Sequence, residues 1–304
     1  MPGGLPADPL LRFLRAHALP GAERHDGATG THERLLPTAA GPVPVAVVLG
    51  TAQRCERVVV RAPAAALAEV GARVRRWLDL DGRVAAAEAH LGADPALAPL
   101  VAARPGLRVP RAVSGAETAL LTVLGQQVSL AAARTFGGRL VAAFGRPGGG
   151  GLLAFPEPAV LAAAGPEALR AATGVTGARS RALHAVASAL AGGLDLDGAR
   201  AAGRAAAARA QLLALPGVGP WTADYVALRA LGEDDAFLPG DLVLRRALGG
   251  VGQAEALARA QPWRPWRGYA LLHLWTAQAF AGPADAPGAP APGRAVTDSG
   301  GVGG

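Results

Sequence analysis

The distribution of β-branched residues limits the architecture of this chain more than any other feature. Between Glu33 and Ala62 the segments PVPVAVVLG and CERVVVRA have the composition and length of strands joined by a turn. Residues 67–80 then carry leucine, valine and tryptophan at helical spacing. Beyond about residue 81 this strand pattern ends, and alanine-rich helical segments separated by proline and glycine continue to about residue 281. The sequence predicts a mostly α protein with a small N-terminal α+β domain.

The same pattern predicts where the chain divides. Residues 1–81 form the N-terminal α+β domain, and residues 82–281 form the helical domains. Residues 282–304 are rich in proline, glycine and alanine without a periodic apolar pattern, so we predict a disordered tail. The segment Arg146–Pro158 is predicted to be a loop. It lacks the lysine and the serine or threonine that would close a phosphate-binding loop.

Basic residues indicate the class of partner. The 304 residues carry a formal net charge of +7, which favours a polyanion such as nucleic acid. All 30 basic residues are arginine, so no side-chain amine can form a Schiff base, and only the N-terminal amine remains. Between residues 97 and 150 arginines far outnumber acids, and we expect a DNA-facing surface there. These arginines are Arg104, Arg108, Arg111, Arg134, Arg139 and Arg146.

A single cysteine, Cys55, restricts redox and metal chemistry. One thiol cannot form an internal disulfide, a cysteine-ligated iron-sulfur cluster or a zinc site of several thiolates. The N-terminal apolar stretch is interrupted by charges, so it lacks the core of a signal peptide. The uncharged run 118–133 is too short to span a bilayer. We expect a soluble, cytoplasmic, nucleoid-associated monomer with no membrane partner.

The stretch AQLLALPGVGPWTADYVALRAL, residues 210–231, contains the most informative turn. An apolar helical segment ends at Leu215, proline and glycine then produce a tight turn, and a new helix begins near Pro220. Unpaired N–H groups at the start of the second helix suit one phosphate oxygen of DNA without reading sequence. On this motif alone an ordinary helix-turn-helix corner stays open. The residues predicted to contact phosphate are Pro216, Gly217, Val218 and Gly219.

Five segments resemble, in the same order, those of the 3-methyladenine DNA glycosylase II (AlkA-type) family of helix-hairpin-helix (HhH-GPD) DNA glycosylases. They are AARPGLRVP (102–110), LTVLGQQVSLAAA (121–133), LPGVGPWTADYVALRAL (215–231), FLPGDLVLRR (237–246) and WRPWRGYALLHLW (263–275). Because they extend over most of the chain, the resemblance is specific. It implies the helix-hairpin-helix glycosylase fold and a hydrolase acting in base excision repair. Such an enzyme flips an alkylated base out of duplex DNA and hydrolyses its bond to deoxyribose.

Asp241 matches the catalytic aspartate of this family. Cleavage of an N-glycosidic bond generates positive charge on the sugar, and a nearby carboxylate stabilises that charge and helps to position water. Asp241 also precedes the apolar pattern LVLRRAL, where an aspartate is an expected helix N-cap. Both roles are compatible. Asp234 and Asp235 fall in a loop and are expected to be solvated.

The resemblance also implies a base pocket and a wedge. Trp221, Tyr225 and Trp275 match the base pocket, in which Trp275 and Trp221 are the faces that stack on a cationic purine and Tyr225 is a wall, although each ring alone also suits a core. Gln127 matches the residue that fills the duplex after base flipping, a position where some members have leucine. Gln126 is predicted to assist Gln127 in this role. Two exposed glutamines at a helix start remain the alternative for this pair.

A monovalent cation site is implied at the hairpin. The backbone carbonyls of Leu213, Leu215 and Val218 match the positions at which the family binds such an ion, so we expect a structural Na⁺ or K⁺ there. Side chains cannot test this, because main-chain oxygens form the site. We expect no other cofactor.

The related endonuclease III has a lysine in its hairpin helix, forms a Schiff base and nicks the strand, and such relatives often carry a four-cysteine iron-sulfur loop. This chain has Trp221 at that place and no lysine. The resemblance therefore implies a monofunctional glycosylase that leaves an abasic site in double-stranded DNA containing alkylated bases. Two alternatives stay open: a non-catalytic helix-hairpin-helix DNA-binding protein, and a glycosylase for 8-oxoguanine or mismatches on the same fold.

Overall fold

The N-terminal part of the protein combines an antiparallel sheet with two helices. The structure, a computed structural model, describes residues 5–51 and 54–279, so the predicted tail at 282–304 lies outside the described residues. The elements are β1 (Leu5–Pro6), α1 (Ala7–His17), β2 (Glu23–Asp26), β3 (Thr31–Leu36), β4 (Val43–Val48), β5 (Arg54–Cys55), β6 (Val59–Arg61) and α2 (Leu67–Trp77). The sheet has the order β2-β3-β4-β6, and β1 pairs with β5.

Buried and more exposed side chains alternate along β4, and this alternation explains how the sheet packs. Val45 and Val47 are buried, while the residues between and beside them are more exposed, as expected for a sheet with one covered face. The covered face contacts apolar residues of α1 and α2, including Val74. The predicted strands between residues 33 and 62 and the predicted helix from residue 67 are confirmed. Strand β2 and helix α1 were not predicted.

The remainder is mostly helical, which confirms the predicted fold class. Its elements are α3 (Val84–Leu91), α4 (Ala98–Ala103), α5 (Gly115–Leu124), α6 (Leu130–Phe144), β7 (Arg146–Pro147), β8 (Leu153–Ala154), α7 (Pro158–Thr173), α8 (Gly177–Ala191), α9 (Leu196–Ala201), α10 (Ala205–Leu213), α11 (Pro220–Val226), a π-helical turn (Ala227–Leu231), α12 (Leu242–Ala247), α13 (Gln253–Arg259) and α14 (Arg267–Ala279). In residues 5–51 and 54–279 no helix combines the length and apolar character needed to cross a membrane.

Helix α11 lies between two apolar clusters of the helical part. Ala223 and Val226 belong to the cluster that includes residues of α5, α7, α8, α9 and α10. Trp221 and Tyr225 pack against the other, which includes residues of α3, α4, α12 and α14. Because these pairs project from different sides of one helix, α11 presents its aromatic side toward α12 and α14.

The predicted loop Arg146–Pro158 contains the short antiparallel pair β7 and β8, so the loop prediction is wrong for these strands. Gly150 and Gly151 adopt positive φ values of 73° and 71°, which glycine allows and which turns the chain back on itself. The segment then contacts the N-terminal sheet. The N–H of Leu153 donates to the Gly21 carbonyl at 2.9 Å, and Leu152 is buried with Leu35.

A buried ion pair joins the N-terminal sheet to the helical part. Arg34 on β3 donates through Nη2 to both oxygens of Glu117 on α5, at 2.8 and 2.6 Å. Its Nη1 also bonds Glu23. All three side chains are almost completely buried, so this contact fixes the sheet against α5. The predicted division at residue 81 stays a prediction.

Candidate active site

The hairpin between α10 and α11 has the tight geometry that the sequence predicts. Gly217 has a φ of +79°, and a Cβ there would lie 2.5 Å from the Cβ of Ala182 on α8, so only glycine fits. Gly219 is the N-cap of α11 and Pro220 follows at the first helical position. Within the described chain neither Gly217 nor Gly219 donates its N–H to another group. The turn therefore presents main-chain donors for a ligand.

Asp241 lies at the N-terminus of α12, and three N–H groups bind its carboxylate. Oδ1 accepts from the backbone N–H of Leu244 at 2.8 Å and from Nε1 of Trp275 at 2.9 Å. Oδ2 accepts from Nε1 of Trp221 at 3.2 Å. The N-cap interpretation is confirmed. The two indole donors additionally fix the direction of the carboxylate.

The three predicted pocket rings come together around this carboxylate. Trp221 and Tyr225 stack with centroids 5.5 Å apart and an interplanar angle of 19°, as expected for residues four apart on one helix. Trp275, from α14, lies 6.1 Å from Tyr225 at an angle of 41°. Together with Asp241 the rings line a cavity of about 350 Å³. This volume and lining suit a planar organic ligand.

Helix α1 contributes residues to the same cavity that the sequence analysis missed. Phe13 and His17 line it and stack with centroids 4.0 Å apart. Burial, with a further contribution from Arg229, lowers the pKa of His17 to about 3, so the imidazole is neutral. Leu10, Phe13, Leu14 and His17 stand at helical spacing, which could have predicted the helix but not what it contacts.

Arg229 is a second cavity residue that the sequence analysis missed. It lies in the π-helical turn after α11, and its Nη1 donates to the hydroxyl oxygen of Tyr225 at 2.8 Å. Its guanidinium carbon is 4.6 Å from the ring centroid of Phe13 and 5.5 Å from that of Tyr225. Its Nε bonds the Pro110 carbonyl. Burial lowers the pKa of Arg229 from its ordinary value.

Gln126 and Gln127, in the turn between α5 and α6, have different environments. The Gln126 amide nitrogen lies 2.9 Å from both the Gly217 carbonyl and the Thr222 hydroxyl, so its side chain supports the hairpin. The alternative of an exposed glutamine does not describe it. Gln127 is exposed and has a φ of +53°, a left-handed conformation that is rare outside glycine. The wedge role of Gln127 stays a prediction.

The carbonyls predicted to bind a cation lie at the end of α10 and in the hairpin turn. The Leu215 carbonyl already accepts the N–H of Val218 at 3.1 Å and keeps a second lone pair. The carbonyl oxygens of Leu213 and Val218 are likewise neutral main-chain acceptors. Such hard donors fit an alkali metal ion better than a transition metal.

The expectation that Asp234 and Asp235 are solvated is wrong. Asp234 pairs with the buried Arg111 at 2.5 Å. Asp235 pairs with Arg267 at 2.7 Å and with Arg264 at 3.0 Å. The loop folds back on basic side chains of distant segments, and spacing along the sequence does not reveal such contacts.

The predicted DNA-facing group of arginines is largely engaged within the protein. Arg104 and Arg111 are buried, so the prediction is wrong for them. Arg108, Arg134 and Arg139 donate to main-chain carbonyls, and Arg146 pairs with Glu157. A DNA contact stays a prediction for Arg108, Arg134, Arg139 and Arg146, which are not buried.

Comparisons with known proteins identify the family that this chain resembles. The family described as AlkA N-terminal domain matches residues 4–114, and the HhH-GPD superfamily of base excision DNA repair proteins matches residues 120–262. A probable bifunctional transcriptional activator/DNA repair enzyme AlkA from Mycobacterium tuberculosis is 49% identical over 214 residues, covering 67% of this chain but 42% of that protein. The chain thus spans less than half the length of this relative.

Two further relatives cover more of their own length. A DNA-3-methyladenine glycosylase from Bacillus subtilis is 30% identical over 217 residues, covering 68% of this chain and 71% of that protein. The structure of a 3-methyladenine DNA-glycosylase from Archaeoglobus fulgidus superposes with a TM-score of 0.78 at 21% identity, covering 91% and 96% of the two chains, which confirms the predicted fold. The chain therefore belongs to the AlkA-type family of helix-hairpin-helix base excision DNA repair proteins.

Proposed function

We propose that the protein is a monofunctional DNA glycosylase that flips an alkylated purine, such as 3-methyladenine, out of duplex DNA and hydrolyses its glycosidic bond. One observation carries the proposal. The Asp241 carboxylate is fixed by the indoles of Trp221 and Trp275, whose rings line the same cavity. The name of the Bacillus subtilis relative, a DNA-3-methyladenine glycosylase, supports the substrate class.

The proposed chemistry uses Asp241 as an electrostatic and positioning group. When the bond between C1′ and the base nitrogen breaks, the electron pair leaves with the base, and C1′ becomes positively charged. A carboxylate at this point stabilises the charge. The oxygen of a water molecule then bonds to C1′, and its proton passes to the carboxylate. No lysine exists to form a Schiff base, so the sugar stays attached to an intact strand as an abasic site.

Base selection follows from the rings. An alkylated purine carries positive charge, and the faces of Trp221, Tyr225 and Trp275 attract a cation more strongly than a neutral base. Exclusion of water from the cavity strengthens this attraction. A methylated purine is therefore favoured over the unmodified one.

Contacts outside the cavity would hold the duplex. The hairpin N–H groups at Gly217 and Gly219 suit a phosphate oxygen, and exposed Gln127 suits the gap left by the flipped base. The carbonyls of Leu213, Leu215 and Val218 would hold a Na⁺ or K⁺ ion, whose positive charge would favour binding of a DNA phosphate. The hydrolysis itself needs no organic cofactor. We propose that the protein acts as a monomer on nucleoid DNA.

The test is release of free base from methylated duplex DNA by wild type and by Asp241→Asn. Wild type should release 3-methyladenine without breaking the strand before alkali treatment. Asp241→Asn should lose about 100-fold or more in rate but keep its affinity for DNA, because the amide lacks the negative charge and has one acceptor oxygen in place of the two that Trp221 and Trp275 bind. Asparagine is an equally good N-cap, so the fold is retained.

A matched control is Asp195→Asn, which changes another N-cap aspartate, on α9, outside the cavity. It should release base at the wild-type rate. Binding of DNA with no base release by wild type would indicate a non-catalytic DNA-binding protein. Release of 8-oxoguanine in place of methylated purines would indicate a glycosylase for another lesion.

A further inference from the structure

Two arginines without a partner lie where α2 meets the helical part. Arg76 belongs to the last turn of α2 and Arg200 to the last turn of α9, and both side chains are half-buried. Within residues 5–51 and 54–279 neither guanidinium forms a hydrogen bond, an ion pair or a ring contact. Partial burial of a charge costs free energy that a partner normally offsets. Solvent still reaches both groups, so a ligand can reach them as well.

Gly232 fixes the position of the Arg200 side chain. It ends the π-helical turn with a φ of +75°, and a Cβ there would lie 2.8 Å from Nε of Arg200 and 3.5 Å from its Cδ. Only glycine leaves this space, so the arginine side chain lies across the end of the turn. A guanidinium that is already held in place loses less rotamer freedom when a ligand binds.

Backbone hydrogen bonds bring Arg76 to the same place. The N–H of Arg111 donates to the carbonyl of Trp77 at 2.8 Å, and the next N–H along the chain donates to the π-helical turn at 2.6 Å. Arg76 precedes Trp77, and Arg200 lies across the end of that turn. The two arginines therefore stand on either side of one depression, which we call the α2–α9 cleft and define by Arg76, Arg200 and Gly232.

The charges around Arg200 leave a positive excess. Burial lowers the pKa of Arg200 from its ordinary value, and the charges of Arg76 and Arg111 lower it further. Asp197 and Asp79 act in the opposite direction, but more weakly. A like charge is thus the stronger electrostatic influence on Arg200, and an anion in the cleft would relieve it.

The nearest carboxylates already have partners of their own. Asp79 accepts from the hydroxyl of Tyr269 at 2.8 Å and from Nε of Arg111 at 3.4 Å. Asp197 accepts the N–H of Gly115 at 3.0 Å, at the start of α5. Neither carboxylate forms an ion pair with an arginine of the cleft. The compensating anion has to come from outside the chain.

We propose that the α2–α9 cleft binds a phosphate dianion, either inorganic phosphate or the phosphate group of a monoester. Two guanidiniums match its two negative charges, and each can donate a pair of parallel N–H groups to its oxygens. A bound phosphate joins α2 to α9, and thereby the N-terminal sheet to the helical part. The site is separate from the proposed glycosylase reaction and does not depend on it.

The position of the cleft disfavours duplex DNA at the hairpin as the source of the phosphate. Helix α5 starts at Gly115, beside α9, and Gln126 just beyond its other end contacts the hairpin at Gly217. Its 10 residues extend about 15 Å, so the cleft and the hairpin are at opposite ends of this helix. The exposed Glu233, next to the cleft, repels an extended polyanion more than a compact ion.

The experiment titrates inorganic phosphate at constant ionic strength, with chloride as the replaced ion, and measures calorimetric binding and thermal unfolding. Wild type should bind phosphate and unfold at a higher temperature in its presence. Arg200→Met and Arg76→Met should each weaken phosphate binding about 10-fold or more. Arg170→Met, which changes an exposed arginine on α7, should bind phosphate as wild type does. No binding by wild type, or equal affinity in wild type and both cleft variants, would overturn the inference.

Stability without phosphate distinguishes a ligand site from a purely structural role. Removal of one cation relieves its repulsion by the other, so phosphate-free Arg200→Met should be at least as stable as wild type. The gain in stability on addition of phosphate should be smaller than in wild type. A variant that is less stable than wild type by the same amount with and without phosphate would indicate a structural role and contradict the proposal.

Two further arms identify the source of the phosphate group. Arg76→Met and Arg200→Met should bind duplex DNA with the affinity and the salt dependence of wild type. Weaker DNA binding with a smaller salt dependence would mean that the cleft contacts the DNA backbone, which overturns the proposal. A nucleoside 5′-monophosphate replaces inorganic phosphate in the second arm. Tighter binding of the nucleotide supports a monoester as the ligand, and equal or weaker binding supports the free ion.

Discussion

The indole nitrogen of Trp275 lies 2.9 Å from Oδ1 of Asp241, although the two residues are 34 positions apart in the sequence. Trp221 donates to the other carboxylate oxygen at 3.2 Å. The rings that would stack on the base are therefore hydrogen-bonded to the carboxylate that would face the sugar. In the proposed reaction, base binding and bond cleavage would depend on one rigid unit, because a shift of either ring would move the carboxylate.

Trp275→Phe separates stacking on the base from orientation of the Asp241 carboxylate. Phenylalanine keeps an aromatic face for stacking but removes the Nε1 donor, so Asp241 loses one of its fixed hydrogen bonds. We expect the single-turnover rate of base release to fall about 10-fold, with substrate affinity changed less than about 3-fold. The rate of base release is measured at saturating enzyme, and its dependence on enzyme concentration gives the substrate affinity.

Trp263→Phe is the matched control, because Trp263 Nε1 donates to Asp94 at 2.8 Å and does not line the cavity. It should lower stability without changing the rate of the folded enzyme. A Trp275→Phe enzyme as fast as wild type would show that the indole bond does not orient the carboxylate.

The backbone conformation of Gln127 allows a test of its predicted wedge role. The φ of +53° disfavours any residue with a Cβ, so Gln127→Gly should be about 1 kcal/mol more stable than Gln127→Ala. Both variants lose the side chain, and both should release base about 10-fold more slowly if that side chain fills the duplex. Thermal unfolding and base release are measured on the same preparations. Full activity of Gln127→Ala would contradict the wedge role.

The sequence was sufficient to predict features that local rules determine. Pro216 and Gly217 define a turn by their backbone preferences, and Asp241 is recognisable as an N-cap by its position before an apolar helical pattern. Trp221 and Tyr225 fall on one face of a helix by their spacing of four. These features depend on a few neighbouring residues, so their geometry does not depend on the rest of the fold.

The missed features depend on contacts between distant segments. Periodicity can indicate that Phe13 is on an apolar helical face, but not that this face meets Arg229 more than two hundred residues later. Similarly, the arginine-rich composition of residues 97–150 does not reveal that Arg111 pairs with Asp234 in the interior. Charge counts predict a partner class only after internal ion pairs are known.

Arg34→Met tests the buried connection between β3 and α5. Removal of the guanidinium leaves Glu23 and Glu117 buried without their shared partner, so we expect a loss of about 3–5 kcal/mol in the free energy of unfolding. Arg75 and Asp81 provide a control pair, with side chains 59% and 63% exposed. Arg75→Met should lower the free energy of unfolding much less than Arg34→Met does, because water screens an exposed pair. Urea unfolding of both variants measures the difference, and equal losses would contradict the argument.

His32 should make the protein less stable in acid. Its ring is buried beside Trp77, neither ring nitrogen has a hydrogen-bond partner among the described residues, and burial lowers its pKa from 6.5 to about 3. Arg34 and His25 also lower the pKa, and the Glu23 carboxylate lies 3.8 Å from Nε2. Between these two pKa values only the unfolded chain binds the proton. The free energy of unfolding should therefore fall by about 1.4 kcal/mol per pH unit as the pH falls from 6.5 toward 3.

His32→Phe removes this dependence, since phenylalanine binds no proton in either state. The slope of unfolding free energy against pH should be smaller in the variant by about 1.4 kcal/mol per unit over that window. Burial raises the pKa of Glu23, which gives a slope of opposite sign, but that contribution is present in both proteins and largely cancels in the difference. Equal slopes for wild type and His32→Phe would mean that His32 accepts a proton in the folded protein as readily as in the unfolded chain.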